Sequence, residues 1–162
     1  MSMWIKRVAF LALAISLTAT AAVAQNAAAI VKERQETMKG LWPNFYRGFS
    51  QAAKGESADV AATPAKTQEA VATLQKVAAL FPAGSGREAV PDTRAKPEIW
   101  AQRSAFDAAL AKLVSETQKL GDVAKTGNLE AVKTQFAAVS EACGGCHGGP
   151  AKSGGTFRFE AQ

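Results

Sequence analysis

The chain has 162 residues, enough for one domain with a modest core, and carries 19 basic and 14 acidic residues. These charges form no block of lysines or arginines and do not alternate with aromatic residues. This pattern argues against a nucleic-acid partner.

The first 24 residues have the order of a secretory signal peptide. A basic pair, Lys6-Arg7, precedes an apolar run over 8–17, and small residues follow up to Ala24. This order predicts cleavage near Ala24 and export to the periplasm, with an uncleaved membrane anchor as the alternative. The predicted mature domain, residues 25–162, keeps 17 basic and 14 acidic residues, a net charge of +3, and shows no further transmembrane segment.

The first half of this domain predicts two helices, since apolar residues recur at helical spacing. The first covers about 27–53, and Pro43 inside it is expected to kink the helix or end its first half. The second covers about 57–80, with Ser57 as its N-cap and Pro64 as a second position for a kink. Residues 81–97 are rich in Gly, Pro and charged side chains and predict a long loop of the kind that often borders a site.

The second half predicts two more helices. The third begins at Pro97 or Glu98 and ends near Ala124, and the fourth begins at Asn128, a good N-cap residue. Gly148-Gly149-Pro150 is expected to end the fourth helix, and an irregular tail follows. Four helices joined by mostly short turns predict an all-α protein with the architecture of an antiparallel four-helix bundle.

The sequence CGGCH, residues 143–147, holds both cysteines of the chain and its only histidine. Residues three and four apart share a helix face, so Cys143 and Cys146 can bond to two vinyl groups of one porphyrin while His147 reaches its iron. A disulfide across so short a span adds little stability. A zinc site or a dithiol redox centre remains as an alternative to covalently attached haem c, which the pattern favours.

The iron's second axial position has few candidate ligands. Met38 is the only methionine outside the predicted signal peptide, and no second histidine exists. Histidine opposite methionine is a standard electron-transfer arrangement. Tyr46, a lysine or the N-terminal amine are the alternatives, and a lone helical methionine also occurs as core filler.

Three short sequences follow one another along the chain: ERQETMK in the first predicted helix, KPEIW at the entry to the third predicted helix, and CGGCH near the C-terminus. In this order they resemble the class II cytochromes c, that is, cytochrome c' and its six-coordinate low-spin relatives. The resemblance covers essentially the whole mature chain. It implies a four-helix bundle with one haem c attached through Cys143 and Cys146.

The resemblance also implies roles for individual residues. Met38 falls where low-spin members carry the sixth iron ligand, whereas five-coordinate members have a non-ligating apolar residue there. Arg34, one helical turn earlier, is implied to pair with a haem propionate, with Gln35 assisting, and a solvated surface arginine is the alternative. Side chains expected near the porphyrin, although core packing would explain them equally well, are Leu80, Phe81 and Trp100.

One feature departs from the family pattern. Members usually place an aromatic-Arg pair a few residues after the histidine, whereas here a glycine-rich stretch precedes Phe157-Arg158. The sequence leaves open whether this pair is displaced along the chain or the cationic group near His147 is absent.

Together these observations predict a periplasmic one-electron carrier, not an enzyme, whose haem iron is bound by His147 and Met38. A five-coordinate haem protein that binds NO or CO is the alternative if Met38 does not ligate. Redox proteins of unknown identity are the expected partners, and both a homodimer and a monomer are compatible with the sequence.

Overall fold

The structure is a computed structural model that describes residues 26–54, 63–148 and 154–160. Helix α1 covers residues 26–41 and continues through a π-helical turn, Trp42–Tyr46, into α2, Arg47–Ala53. Helix α3 covers Thr63–Val77 and ends in a 3-10 turn, Ala78–Leu80. Helices α4, α5 and α6 cover Glu98–Ala101, Arg103–Ala124 and Leu129–His147. The predicted signal peptide and the predicted Ser57 cap lie outside the described residues.

These helices form the antiparallel four-helix bundle that the sequence predicts. The combined α1–α2 segment, α3, α5 and α6 are its four members, and α5 packs against both α3 and α6. Residues 81–97 form turns and bends with no helix before α4, as expected. The described residues contain no β-strand, only one isolated bridge between Ala95 and Arg158.

Pro43 disturbs the first member of the bundle without ending it. The residue lies within the π-helical turn, where the N–H of Arg47 donates to the carbonyl of Trp42, five residues earlier. Proline lacks an N–H and cannot take part in the regular ladder, and a wider turn accommodates that loss. The helix therefore passes through Pro43 and continues as α2.

The third predicted helix is interrupted near its start, and the expectation of a continuous helix is wrong there. Gln102 has φ −122° and ψ 48°, which separates the single turn α4 from α5. Arg103, the first residue of α5, donates hydrogen bonds to the carbonyls of Phe81 (3.0 Å) and Ala78 (3.2 Å). The start of α5 is thereby attached to the end of the preceding helical segment.

Both predicted ends of the last helix are confirmed. The Asn128 side chain accepts a hydrogen bond from the N–H of Ala131 at 3.1 Å and so caps α6. At the other end Gly148 has φ 85°, and its N–H donates to the carbonyl of Gly144 at 2.7 Å. Glycine tolerates this positive φ, so α6 ends directly after His147.

The core consists of two groups of buried side chains. The aromatic cluster lies between α2, the π-helical turn, α3, α5 and α6, and it comprises Phe45, Phe49, Ala70, Leu120, Ala124, Val132, Phe136 and Val139. The loop-side cluster lies where the 81–97 loop meets the helices, and it comprises Val77, Phe81, Ala95, Ile99, Phe106 and Phe157.

Close packing of α3 on α5 depends on Gly121. A β-carbon at this position would collide with the Oγ1 atom of Thr67, which is itself buried. We expect Gly121→Ala to lower the free energy of unfolding by about 1–3 kcal/mol, because the added methyl overpacks the contact. Denaturant unfolding measures this change.

The matched control for this prediction is Gly40→Ala, because a β-carbon at Gly40 meets no atom within 4 Å. Adding Thr67→Ala to Gly121→Ala removes the colliding atom and is expected to recover part of the loss. A Gly121→Ala variant as stable as the Gly40→Ala variant would contradict this account of the α3–α5 contact.

Among the described residues, none of the helices combines the length and the apolar character that a membrane crossing requires.

Candidate haem site

The last two turns of α6 present Cys143, Cys146 and His147 together. Cys143 and His147 are one helical turn apart and share a helix face, with Cys146 beside them. Both cysteines are free thiols and half-buried. Burial, with a smaller effect of the neighbouring Cys146, raises the pKa of Cys143 to about 11, and burial also raises the pKa of Cys146. Before any thioether bond to haem forms, both side chains are therefore neutral thiols at pH 7.

The two cysteines contact different parts of the core. Cys143 packs against the aromatic cluster, and Cys146 packs against the loop-side cluster. The C-terminal end of α6 therefore contacts both groups of core residues.

The loop-side cluster also contacts Met38 of α1. Met38 is half-buried and packs on the same cluster as Cys146, although the two are distant in sequence. Leu80 and Trp100 pack there too, and the indole N–H of Trp100 donates to the carbonyl of Pro82 at 2.9 Å. The predicted sulfur ligand, the predicted porphyrin neighbours and Cys146 thus all pack on the loop-side cluster.

Arg34 lies inside the protein, with 4% of its surface exposed, so the alternative of a solvated arginine is wrong. Its guanidinium donates to the carbonyl of Leu80 (3.2 Å) and to the carbonyl (3.3 Å) and hydroxyl (3.4 Å) oxygens of Ser85. It also donates to the hydroxyl of Thr93 at 2.8 Å and lies 4.3 Å from the centre of the Phe81 ring.

Burial lowers the pKa of Arg34 to about 10, so the side chain stays charged at pH 7. Its hydrogen-bond acceptors in the 80–93 segment are all neutral oxygens. Gln35 is exposed on α1. The hydrogen bonds of Arg34 connect α1 to the 80–93 segment. Pairing of Arg34 and Gln35 with a haem propionate stays a prediction.

His147 adjoins the C-terminal segment. The N–H of Phe157 donates to the carbonyl of Cys146 at 3.4 Å, and Arg158 forms the isolated bridge with Ala95. Burial, followed by the positive charges of Arg158 and Arg94, lowers the pKa of His147. A lower pKa favours the neutral imidazole, which is the form that binds metal ions.

The Phe157-Arg158 pair lies next to the C-terminal end of α6. The segment folds back across the end of α6, and the charge of Arg158 acts on His147 despite the intervening glycine-rich stretch. Arg94 was missed by the sequence analysis, because it belongs to a distant loop and no motif marks it.

These residues fit a covalently bound haem c. Two half-buried cysteines lie in the last two turns of one helix, the adjacent imidazole favours its neutral form, and Cys146 packs against the apolar side chains of the loop-side cluster. In the described parts of the chain, no three His, Cys, Asp or Glu side chains converge on a possible metal-ion position. A closed zinc site normally needs four such ligands.

Comparison with known proteins agrees with this fit. The family model described as cytochrome c' matches residues 29–149. The chain belongs to the cytochrome c' family. It is therefore a monohaem c-type cytochrome, and its Cys143–Cys146 pair is consistent with covalent attachment of haem c.

Similar proteins match this chain over most of its length. Cytochrome c-556 of Rhodopseudomonas palustris is 30% identical to this cytochrome over 144 residues, covering 87% of this chain and 93% of the relative. The structure of cytochrome c' from Rhodobacter Spheriodes has a TM-score of 0.72 at 22% identity, covering 83% of this chain and 98% of its own.

A second solved structure is a ferrous variant of cytochrome c' from Alcaligenes xylosoxidans with bound NO. It has a TM-score of 0.68 at 22% identity and covers 82% of this chain and 94% of its own. At these identities the two solved structures show that the fold is shared.

Proposed function

We propose that this cytochrome is a periplasmic one-electron carrier, without enzymatic activity of its own, whose low-spin haem c is bound axially by His147 and Met38. The observation that supports the proposal is that Met38 and Cys146 pack against the same loop-side cluster. Met38 is the only methionine outside the predicted signal peptide, so the sequence offers one thioether for the iron. The curated relative named cytochrome c-556 supports a cytochrome role.

The haem, when bound, supplies a ferric/ferrous couple that stores one electron. The chain's own residues make that exchange favourable by holding the ligands in place. His147 ends a helix of 19 residues and favours the neutral imidazole, while Met38 belongs to α1 and packs on apolar side chains. Ligands held by packed helices need little rearrangement when the charge of the iron changes, which favours fast electron exchange.

Electron transfer requires redox partners, which we expect to be other proteins in the same compartment. The net charge of +3 for the predicted mature domain is too small to specify the charge of those partners.

The proposal of export to the periplasm rests on the signal-like order of the first 24 residues. Whether the protein forms a homodimer is tested by measuring the mass of the purified protein in solution.

The second candidate function is reversible binding of NO or CO by a five-coordinate haem. The solved cytochrome c' from Alcaligenes xylosoxidans with bound NO favours it, because that protein shares the fold of this chain. The two functions differ in one structural respect, namely whether the Met38 sulfur occupies the sixth position of the iron.

The optical spectrum of the purified holoprotein distinguishes these functions. We expect a low-spin ferric spectrum with a thioether-to-iron charge-transfer band, and slow reaction of the ferrous protein with CO. A high-spin ferric spectrum with rapid CO binding would contradict the carrier proposal and support the gas-binding one. Intact mass above the processed chain by one haem verifies covalent attachment.

A further inference from the structure

We propose that the guanidinium of Arg34 and its partners Ser85 and Thr93 fix the rotation and axial position of α1, and thereby keep the Met38 sulfur in place as the sixth iron ligand. We call these three residues the Arg34 pin. The proposal rests on the axial role of Met38 in the proposed function. It assigns to Ser85 and Thr93, which no sequence motif marks, a role in positioning that ligand.

Arg34 interrupts the apolar inward face of α1. The residues of α1 that are buried or pack on a core cluster are spaced alternately four and three apart, and they are Ala27, Val31, Arg34, Met38 and Leu41. Residues at this spacing share one helix face, so Arg34 occupies a position that is normally apolar. Apolar contacts are non-directional, whereas a single polar residue at such a position fixes the register of packed helices.

The hydrogen bonds of Arg34 attach α1 to the 80–93 segment in a defined orientation. One guanidinium nitrogen, Nη1, donates to the carbonyl of Leu80 and to the hydroxyl of Ser85. The other, Nη2, donates to the carbonyl of Ser85 and to the hydroxyl of Thr93. The guanidinium is planar and its donors point in fixed directions. A rotation or a shift of α1 along its axis therefore breaks several of these bonds at once.

Other side chains hold the acceptors of the Arg34 pin in place. The Ser85 hydroxyl donates to the carbonyl of Pro82 at 2.8 Å, and the indole N–H of Trp100 donates to the same carbonyl. The Nε–H of Arg87 donates to the carbonyl of Thr93 at 3.0 Å. Ser85 and Thr93 are 1% and 2% exposed, so water does not compete for their hydroxyls. The segment thus offers Arg34 a preformed set of acceptors.

Met38 follows Arg34 by one helical turn and shares its face of α1. The ring of Phe81 lies against the Arg34 guanidinium and belongs to the loop-side cluster, on which Met38 also packs. A rotation of α1 that breaks the Arg34 pin therefore also turns Met38 away from that cluster. The side chain of methionine is flexible, so the position of its backbone decides whether its sulfur stays within reach of the iron.

CO binding by the ferrous holoprotein tests the Arg34 pin, since CO competes with the Met38 sulfur for the sixth position. Thr93→Val keeps the branched shape of the side chain and removes the hydroxyl. Because a hydrogen bond to a charged group contributes enough to change an equilibrium about tenfold, we expect the CO affinity to rise about tenfold. Ser85→Ala is expected to act in the same direction. Thr93→Ser keeps the hydroxyl and is expected to bind CO as the parent protein does.

Two comparisons separate positioning of Met38 from a general loss of stability. Gly121→Ala overpacks the α3–α5 contact without altering the Arg34 pin, so we expect it to lower the free energy of unfolding and to leave the CO affinity unchanged. Thr93→Val combined with Met38→Ala is expected to bind CO as Met38→Ala alone does, because the pin acts only through Met38.

Three results would overturn the role of the Arg34 pin. They are a Thr93→Val variant with the CO affinity of the parent protein, an equal rise in the Gly121→Ala variant, and a further rise when Thr93→Val is added to Met38→Ala. The ferric spectrum of the parent protein separates this failure from that of the proposed function. A low-spin parent with any of these results overturns the pin alone, whereas a high-spin parent overturns both.

Discussion

We expect Met38→Ala to convert the ferric protein from a low-spin, six-coordinate to a high-spin, five-coordinate form. Alanine has no atom that binds iron, so the thioether-to-iron charge-transfer band is expected to disappear. When an internal ligand occupies about 99% of the molecules, an external ligand binds about a hundredfold more weakly than it does to a vacant site. We therefore expect the CO affinity of the ferrous protein to rise about a hundredfold.

The matched control for Met38→Ala is Leu80→Ala, because both side chains are half-buried and pack on the loop-side cluster. Leu80→Ala shortens an apolar side chain there without removing sulfur, and its spectrum is expected to stay low-spin. If both variants keep the spectrum of the parent protein, Met38 is core filler. If the parent spectrum is low-spin, another group then occupies the sixth position, and Tyr46 or a lysine becomes the next residue to replace; if it is high-spin, the sixth position is vacant.

The second large effect is expected from Arg34→Ala. This change removes four hydrogen bonds to the 80–93 segment and the contact with the Phe81 ring. Ser85 and Thr93 are both nearly inaccessible to solvent, so their polar groups lose a partner that water does not easily replace. We expect the free energy of unfolding to fall by about 3 kcal/mol, as measured by denaturant unfolding of the holoprotein.

Lys32→Ala provides the comparison for Arg34→Ala on the same helix. The Lys32 side chain is 76% exposed and forms an ion pair with Glu36 at 3.8 Å, so its loss is expected to cost less than about 0.5 kcal/mol. Arg34→Lys keeps the charge but not the planar donor group, and we expect an intermediate loss. Equal stability of the Arg34→Ala and Lys32→Ala variants would show that the buried contacts of Arg34 contribute little.

The sequence predicted the local structure of this cytochrome well where the signal is itself local. Helix periodicity, the Asn128 cap and the glycine after His147 depend on residues within a few positions of one another. Pro43 shows the limit of such reasoning. Its missing N–H predicts a disturbance, but the surrounding contacts determine whether the helix ends or widens into a π-helical turn. The break at Gln102 has no comparable local signal.

The prediction of a haem motif likewise depended on local spacing. Family membership confirms the haem c cofactor that the sequence CGGCH predicts. Which side chains and segments pack around the motif could not be predicted from the sequence. Arg34 bonds to residues 46 to 59 positions away, and the N–H of Lys96 in the loop donates to the carbonyl of Phe157 in the C-terminal segment. No spacing rule relates positions this far apart, because bundle packing brings them together.

The sequence by itself predicted most of the helices and a covalently bound haem c with Cys143 and Cys146 as its attachment candidates, since these follow from residue type and short-range spacing. It offered His147 and Met38 as candidate iron ligands, because they are the one histidine of the chain and the one methionine outside the predicted signal peptide. Only the tertiary structure decided which side chains surround them. It buried Arg34 against the 80–93 segment, packed Met38 and Cys146 on the same loop-side cluster, and folded the C-terminal segment back so that the N–H of Phe157 donates to the carbonyl of Cys146. These outcomes depend on contacts between distant segments, which form only when the apolar faces of the helices pack together.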